Sequence, residues 1–320
     1  MKILVTGASG FIGRNLVTFL RGEGHEVIGT FQTPGELVAR GVPSDGVRWE
    51  HLEMQDPVEI ERVIESTRAD GVFHLAAQAY AKKAWADPAD TFRTNVLGTI
   101  YLYEALRKHP AREGVLLASS GSAYGIPSQL PIREDLPLNA TNPYGVSKAT
   151  QDMLSLQYAL NFEMRILRAR LFGTTGPGKT GDAMNDFARQ VVQIESSGAP
   201  GSIRVGNLDS LRDISDVRDV IRAMVQIFAR GTPTEPVNVG AGRSFSIRYV
   251  AETLVRLARV PVRLEPDPAL LRPTDEPDNR PDISRLRALG FQPEFPLDRT
   301  IADALDYWRE GSPKTPGPPA

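Results

Sequence analysis

The stretch Ile3-Leu4-Val5-Thr6-Gly7-Ala8-Ser9-Gly10-Phe11-Ile12-Gly13 decides the fold. An apolar run leads directly into a glycine-rich turn and then into an amphipathic segment. Gly7 allows a tight turn, Gly10 lets a pyrophosphate approach the backbone, and Gly13 lets the following helix pack close to the strand. The N-terminus of that helix offers free N–H groups and a partial positive charge. The stretch therefore predicts a dinucleotide-binding turn at the start of a βαβ unit.

The same alternation of apolar runs and amphipathic segments continues through the first half of the chain. The runs that predict strands are Ile3–Val5, Glu26–Ile28, Gly71–Leu75, Gly114–Ala118 and Arg165–Arg170. The segments that predict helices include Phe11–Arg21, Pro57–Ser66 and Thr91–Lys108. Strands separated by helices are typical of a parallel sheet with right-handed crossovers. We expect an α/β fold with a Rossmann-type, doubly wound parallel sheet.

Gly and Pro accumulate after Phe172, and the pattern returns with a predicted helix over Asp216–Arg230 and a predicted strand over Glu235–Val239. We expect a large dinucleotide-binding domain and a smaller C-terminal substrate domain, followed by a disordered tail rich in Pro and Gly. The alternative is two independent consecutive domains. The expected ranges are 1–172 with 213–242 for the first domain, 173–212 with 243–310 for the second, and 311–320 for the tail.

Composition excludes several classes of protein. The 37 Lys and Arg residues against 39 Asp and Glu residues give a net charge of −2, so no global field favours nucleic acid or an anionic membrane. The absence of Cys excludes disulfides and zinc–thiolate sites. There is no long apolar run and no signal peptide pattern. We expect a cytoplasmic protein with no metal, no nucleic-acid partner and no membrane partner.

The end of the second predicted strand bears on the choice of cofactor. Enzymes that use NAD often carry an acidic side chain there for the adenosine ribose, but this chain has Phe31. A missing carboxylate removes repulsion against the 2′-phosphate of NADP, and Arg14 is a candidate for holding that phosphate. The sequence therefore favours NADP(H) over NAD(H).

A second motif, Asn142-Pro143-Tyr144-Gly145-Val146-Ser147-Lys148, predicts acid–base chemistry. Asn suits a helix N-cap and Pro suits the first helical position, so Tyr144 and Lys148 fall on one helix face. A phenol is a poor base at neutral pH, but a neighbouring ammonium group and a cationic nicotinamide favour the phenolate. An exposed Tyr–Lys pair on an amphipathic helix is the alternative.

Polar residues follow the predicted strand that ends near Ala118, at the edge where open α/β sheets bind ligands. Ser120 is a candidate for hydrogen bonding to the reacting oxygen, and Ser122 is either a helix cap or a ligand contact. Asn95 lies inside the apolar run 92–106. It is either a buried residue that bends a helix or a residue that orders the active site through a water molecule.

Together these motifs resemble the extended short-chain dehydrogenase/reductase family, also called the NAD-dependent epimerase/dehydratase family. The resemblance rests on Thr6–Gly13, His74-Leu75-Ala76-Ala77, Asn95, Ser120, Tyr144 and Lys148. It implies that Ser120, Tyr144 and Lys148 form a catalytic triad. The cofactor contacts that we expect are Gly7, Ser9, Gly10, Phe11, Ile12, Gly13, Arg14, Phe31, Leu75, Ala76, Ala77, Asn95, Tyr144 and Lys148.

Later segments are similar to the GDP-mannose branch of that family, which holds GDP-mannose 4,6-dehydratases and GDP-4-keto-6-deoxy-mannose reductases. These segments are Phe187–Gln190, Val205–Asp213, Asn238–Gly242 and Asp267–Pro277. The resemblance implies a nucleotide-diphosphate sugar as substrate, with a GDP-linked sugar preferred, and two arginines that hold its diphosphate. The substrate contacts that we expect are Ser120, Ser122, Asn185, Arg212 and Arg272.

Two departures from the family pattern narrow the reaction. The dehydratases carry Glu where this chain has Ser122, and Glu134 and Asp135 belong to a segment that we expect to be a surface turn. A serine hydroxyl cannot act alone as the base for eliminating water, so dehydration is not expected. Before Thr175-Gly176-Pro177-Gly178 the family often has Asn-His, where this chain has Gly173-Thr174. The missing Asn removes a usual contact to the nucleotide sugar.

The sequence thus favours a reductase of a nucleotide-linked 4-keto-6-deoxy sugar, with GDP-4-keto-6-deoxy-mannose first, by hydride transfer from NAD(P)H. The alternatives are a nucleotide-sugar 4-epimerase, then a GDP-mannose 4,6-dehydratase, and from another class a non-enzymatic dinucleotide sensor. We also expect a homodimer, because the predicted helices at 91–108 and 144–158 are apolar on more than one face. In the family such helices pair as a four-helix bundle.

Overall fold

The computed structural model describes residues 1–39, 46–270 and 278–311. Arg272 and nearly all of the expected tail therefore lie outside the described residues. The strands are β1 Lys2–Thr6, β2 Glu26–Phe31, β3 Val47–His51, β4 Gly71–His74, β5 Gly114–Ser120, β6 Ile166–Leu171, β7 Thr174–Thr175, β8 Gly201–Val205, β9 Leu211–Asp213, β10 Ser215–Asp216, β11 Pro236–Val239, β12 Ser244–Ser246 and β13 Val262–Pro266.

The helices begin and end as follows: α1 Phe11–Gly22, α2 Pro34–Ala39, α3 Pro57–Thr67, α4 Ala81–Ala86, α5 Pro88–Phe92, α6 Gly98–Lys108, α7 Pro143–Asn161, α8 Ala183–Ser197, α9 Val217–Arg230, α10 Ile247–Leu257, α11 Ser284–Ala288 and α12 Leu297–Arg309. A π-helical segment occupies Arg93–Leu97, and short 3₁₀ helices occupy Gly121–Tyr124 and Pro268–Leu270. None of the helices in the described ranges is long and apolar enough to span a bilayer.

Seven parallel strands form the main sheet, in the order β11-β6-β5-β4-β1-β2-β3. The expected Rossmann-type α/β class is confirmed, and β11 joins the sheet from late in the chain, as predicted. The edge strand β3 was missed. Only Val47 of this strand is buried, while Arg48 and His51 are exposed, so it lacks the apolar run that marks the inner strands.

Separate apolar clusters cover the two faces of this sheet. One cluster contains Leu16 and Leu20 of α1 together with Met224 of α9. The other contains Ile60 of α3 and Leu102 of α6. Both faces are thus covered by helices, which explains why the central strands β1, β4 and β5 are almost continuously apolar.

A third cluster lies apart from the sheet. It joins α8, α10 and α12 to β8 and β13, with Val191, Leu254 and Ile301 fully buried at its centre. The paired strands β8 and β13 form their own two-stranded sheet. Residues 183–205, 250–264 and 297–305 therefore pack around a core of their own.

The prediction of a single helix over Thr91–Lys108 is wrong. Its N-terminal part is interrupted by the π-helical turn around Asn95, which is fully buried. The Asn95 amide donates to the Gln78 carbonyl at 3.1 Å and to the Ser147 hydroxyl at 2.9 Å, and its oxygen accepts from the Gln78 N–H at 2.7 Å. A polar side chain held from three directions accounts for the local widening of the helix.

Candidate active site

The glycine-rich turn after β1 has the geometry of a phosphate cradle. Gly7 has a φ of +67°, and a Cβ there would lie 2.7 Å from the Ala76 nitrogen. A Cβ at Gly13 would lie 2.3 Å from the Gly7 oxygen, so α1 packs directly on the turn. Gly10 caps α1 without any side-chain bond, which leaves the first N–H groups of the helix for a ligand. These features fit the diphosphate of a dinucleotide.

This turn opens onto a cavity of about 900 Å³ that crosses the carboxyl edge of the main sheet. Parallel strands bring their following loops to the same edge, and ligands of open α/β sheets bind there. The predicted residues that line the cavity are Gly7, Ser9, Gly10, Phe11, Ile12, Gly13, Arg14, Phe31, Leu75, Ala76, Ala77, Ser120, Ser122, Tyr144 and Lys148.

Tyr144 and Lys148 lie in the first two turns of α7, as the motif predicts. The Asn142 side chain accepts from the Gly145 N–H at 2.8 Å and so fixes where the helix begins. The Lys148 ammonium donates to the Ala118 carbonyl of β5 at 3.0 Å. Ser120 ends β5, and its hydroxyl lies close enough to the Tyr144 hydroxyl to lower the pKa of that phenol. Strand β5 and helix α7 thus bring the three predicted catalytic groups together.

Burial changes the ionisation of this pair. It raises the pKa of Tyr144, an effect that the nearby Ser120 hydroxyl partly offsets. It lowers the pKa of Lys148 to about 7, because the ammonium group is removed from water. Tyr144 is therefore protonated at neutral pH and ready to donate a proton, while Lys148 changes charge in the working range.

A buried ion cluster holds α7 against the sheet directly behind the site. Asp152, one turn after Lys148, accepts from Arg168 at 2.8 Å and from two nitrogens of Arg170 at 2.8 and 2.9 Å. Arg170 also donates to the Tyr124 hydroxyl at 2.7 Å, and Tyr124 ends the 3₁₀ turn that follows Ser120. The same cluster therefore contacts both elements that carry the predicted catalytic residues.

Three of the predicted contacts do not line the cavity. Asn95 does not line the cavity, and its amide donates to the Ser147 hydroxyl of α7. Asn185 is fully buried, with its amide nitrogen bonded to the Gly176 carbonyl at 3.1 Å and its oxygen to the Trp308 indole at 2.9 Å. Arg212 lies on β9 and donates to the Leu211 carbonyl at 2.7 Å. In this structure the Asn95 and Asn185 amides are hydrogen-bonded to other parts of the chain and do not line the cavity.

The expectation that Glu134 and Asp135 lie in a surface turn is wrong for Glu134. Glu134 is only 8% exposed, and its carboxylate accepts from the Asn238 N–H at 3.0 Å. Burial raises its pKa. It does not line the cavity, and the acidic side chains that do, among the described residues, are Glu36, Glu53 and Asp90. These three follow β2 and β3 or lie in α5, so no described carboxylate lies beside Ser122.

Several cavity residues were missed from the sequence: Glu36, Lys179, Asn279, Tyr307 and Trp308. Lys179 directly follows Gly176-Pro177-Gly178, and this proximity to a glycine-rich turn was an available signal. The Ser9 hydroxyl donates to Glu36 at 2.8 Å, which places a carboxylate beside the phosphate cradle. Tyr307 and Trp308 come from the C-terminal helix α12, and nothing in their local sequence indicates a site.

Comparison with known proteins agrees with this geometry. The family model described as GDP-mannose 4,6 dehydratase matches residues 4–304. The chain belongs to this family. The resemblance drawn from the motifs is confirmed, and the chain is a nucleotide-sugar enzyme of the NAD(P)-dependent oxidoreductase type. The alternative of a non-enzymatic sensor is therefore wrong.

Proteins similar to this chain have different activities. The GDP-6-deoxy-D-mannose reductase of Pseudomonas aeruginosa is 32% identical over 96% of this chain and 97% of its own length. The UDP-glucose 4-epimerase of Mycolicibacterium smegmatis is 29% identical over 98% of this chain and 100% of its own.

Two solved structures show the same division. The structure of RMD from Pseudomonas aeruginosa complexed with NADPH has a TM-score of 0.82 at 30% identity and covers 97% of this chain and 99% of that chain. The UDP-glucose 4-epimerase of Thermotoga maritima with UDP-glucose has a TM-score of 0.88 at 25% identity, with the same coverage. Overall similarity therefore does not separate a reductase from an epimerase.

Proposed function

We propose that this protein reduces a nucleotide-linked 4-keto-6-deoxy sugar, with GDP-4-keto-6-deoxy-mannose as the first substrate to test. The observation that carries the proposal is the composition of the cavity wall around Ser120 and Tyr144. It holds a proton donor and a second hydroxyl, but no described carboxylate that could remove a proton from the sugar. The 32% identity to the Pseudomonas reductase supports the same choice.

The chain's own groups suit reduction of a ketone. When bound, NAD(P)H supplies the hydride. Tyr144, protonated because burial raises its pKa, donates its proton to the carbonyl oxygen. Ser120 donates a hydrogen bond to the same oxygen as negative charge develops on it. The Lys148 ammonium, one helical turn from Tyr144, stabilises the phenolate that remains.

For the cofactor we propose NADP(H) before NAD(H). Phe31 puts no charge at the end of β2, and the Pseudomonas neighbour is complexed with NADPH. Glu36 opposes this choice, because its carboxylate lies 2.8 Å from the Ser9 hydroxyl and would repel a phosphate placed there. A comparison of kcat/KM for NADPH and NADH tests it. A higher value for NADH would overturn this part of the proposal and assign Glu36 the ribose contact.

We also propose that residues 173–212 and 243–310 form the substrate domain. We propose further that the protein is a cytoplasmic homodimer and that α6 and α7 form its interface. The separate core around Val191 supports the first point. Met153 and Leu160 on α7 are 65% and 60% exposed, so this helix presents an apolar face outside the chain's own core. Light scattering at the mass of a dimer is expected, and a monomer at micromolar concentration would contradict the assembly.

A 4-epimerase is the second candidate, favoured by the Mycolicibacterium relative and the Thermotoga structure. The two activities differ in whether the cofactor is consumed. Incubation with the 4-keto sugar and NADPH should oxidise the cofactor in step with product if the protein is a reductase. An epimerase would instead retain its cofactor through desalting and interconvert UDP-glucose and UDP-galactose without net oxidation. A GDP-mannose 4,6-dehydratase, the third candidate, would form the 4-keto sugar from GDP-mannose.

A further inference from the structure

Asn279 lies on the cavity wall in a short segment whose backbone is fixed. The Ile132 N–H donates to the Arg280 carbonyl at 2.8 Å, and the Asp282 N–H donates to the Ile132 carbonyl at 2.8 Å. These two bonds form a parallel bridge between Ile132 and Pro281. Asn279 is therefore presented by a backbone that is held on both sides of the bridge.

The side chain is oriented as firmly as the backbone. The Asp213 N–H donates to the Asn279 side-chain oxygen at 3.0 Å. Only the oxygen of an amide accepts a hydrogen bond, so this bond turns the oxygen toward Asp213 and the NH₂ group away from it. Asp213 is fully buried, and its carboxylate accepts from the Ala241 N–H at 2.9 Å and the Ser215 hydroxyl at 3.1 Å. The Asn279 NH₂ group, held opposite this anchor, has no hydrogen-bond partner among residues 1–39, 46–270 and 278–311.

The same wall continues to the reacting groups. The Gly173 backbone packs on Asp213 so closely that a Cβ at Gly173 would lie 1.9 Å from the Asp213 oxygen. The neighbouring Phe172 ring covers Gly121, so that a Cβ added to Gly121 would lie 2.7 Å from the ring. Gly121 directly follows Ser120 in the chain. Asn279, Gly173 and Phe172 all line the cavity. Asn279 is thus on the side of the cavity where a sugar bonded to Ser120 and Tyr144 would lie.

We propose that Asn279 is a specificity-determining residue that donates a hydrogen bond from its NH₂ group to a hydroxyl oxygen of the sugar ring. This inference rests on the proposed function. A donor that is already oriented binds a hydroxyl at little entropic cost, and it is left unpaired when the substrate lacks that hydroxyl. The residue therefore selects sugars that carry the hydroxyl group over their deoxy analogues.

The decisive variant is Asn279→Asp. It keeps an oxygen for the Asp213 N–H but replaces both N–H donors by an acceptor. The probes are GDP-4-keto-6-deoxy-mannose and its analogues that lack the 2-hydroxyl or the 3-hydroxyl. We expect kcat/KM of the variant to fall at least tenfold on the full substrate and to equal that of the wild type on one of the two analogues. Asn279→Ala should show the same selective loss, and Asn161→Asp, at an exposed position, should show none.

Controls separate the possible failures. Binding of NADPH, followed by its fluorescence, should be unchanged in both Asn279 variants, which shows that the fold and cofactor site are intact. An equal loss on all three sugars, or no loss on any of them, overturns the proposal for Asn279. If the wild-type protein reduces none of the sugars with either cofactor, the proposed function itself fails, whatever the variants do.

Discussion

Replacement of Asp152 by Asn tests whether the buried ion cluster behind the active site stabilises the protein. Asp152 is 1% exposed and is the acidic partner of two guanidinium groups that are themselves only 4% and 5% exposed in their side chains. Asp152→Asn keeps the shape of the side chain but removes its charge. Two buried cations then lose the carboxylate that neutralises them, and one amide oxygen replaces two.

The size of the effect follows from burial. Breaking a buried pair by removing one partner costs about 3–5 kcal/mol, because the remaining charge stays desolvated. With two arginines affected, we expect the upper part of that range, a loss of about 4–5 kcal/mol in the free energy of unfolding. At roughly 2–4 °C per kcal/mol, the melting temperature should fall by about 8–20 °C. Activity should fall as well, because the cluster positions α7 and the turn after Ser120.

Urea denaturation of the wild-type protein and of Asp152→Asn measures the loss. The matched control is Glu61→Gln, which makes the same chemical change in an exposed ion pair with Lys108 at 2.8 Å. An exposed pair contributes about 0–1 kcal/mol, so this variant should barely differ from the wild type. Equal losses in the two variants would refute the argument from burial.

Asp152 also predicts a pH dependence of stability. Burial alone would raise its pKa, but the hydrogen bonds and charges of Arg170 and Arg168 outweigh burial and lower it. A carboxyl group with a lowered pKa in the folded state stabilises the protein above its unfolded pKa, and this stabilisation is lost as the pH falls. The difference in unfolding free energy between wild type and Asp152→Asn should therefore shrink in acid. A difference that is constant down to the acid transition would contradict this.

Further predictions concern the active site and the phosphate cradle. Tyr144→Phe should lower kcat by about 100-fold or more, as loss of a general acid does, with cofactor binding unchanged, and turnover at the wild-type rate would exclude Tyr144 as the proton donor. Burial lowers the pKa of Lys148 to about 7, so its charge is present below that pH and kcat/KM for the cofactor should fall as the pH rises through about 7. In Lys148→Arg the guanidinium stays charged, so this fall should disappear. A pH profile that is unchanged in the variant would exclude Lys148 as the cause. Gly13→Ala should abolish cofactor binding, because its Cβ would lie 2.3 Å from the Gly7 oxygen. Gly22→Ala, on the same helix with nothing within 4 Å of the added Cβ, should bind the cofactor normally. Equal binding by the two variants, followed by the fluorescence of NADPH, would show that the close packing is not required.

The parts of the site that were predictable from the sequence are those with local geometric requirements. A glycine at the Gly7 turn and a Tyr144–Lys148 pair on one helix turn constrain only a few consecutive residues, so they are visible as motifs. The strand β3 was not visible, because an edge strand needs few apolar residues. Glu134 has the polar neighbours of a surface turn, but it is buried by distant parts of the chain, including the Asn238 N–H about a hundred residues later, which donates to its carboxylate.

Asn185 and Asn279 show most clearly what could not be predicted from the sequence. Both side chains are amides, and the resemblance implied Asn185 as one of five substrate contacts while Asn279 was not indicated. In the folded chain the Asn185 amide bonds to Gly176 and Trp308, whereas the Asn279 NH₂ group at the cavity has no partner among the described residues. Which amide faces the ligand depends on contacts between distant segments, and these are set by the packing of the whole fold rather than by either local sequence.

The central claim, that the site reduces a 4-keto sugar rather than making one, is tested most directly by a single reaction. The pure protein is mixed with GDP-4-keto-6-deoxy-mannose and NADPH, and cofactor oxidation and the mass of the sugar product are followed together. The account predicts that the cofactor is oxidised in a one-to-one ratio with a GDP-6-deoxy sugar, and that Tyr144→Phe slows the reaction by about 100-fold or more. Unchanged NADPH and NADH in the presence of the 4-keto sugar, with formation of that same sugar from GDP-mannose, would contradict it.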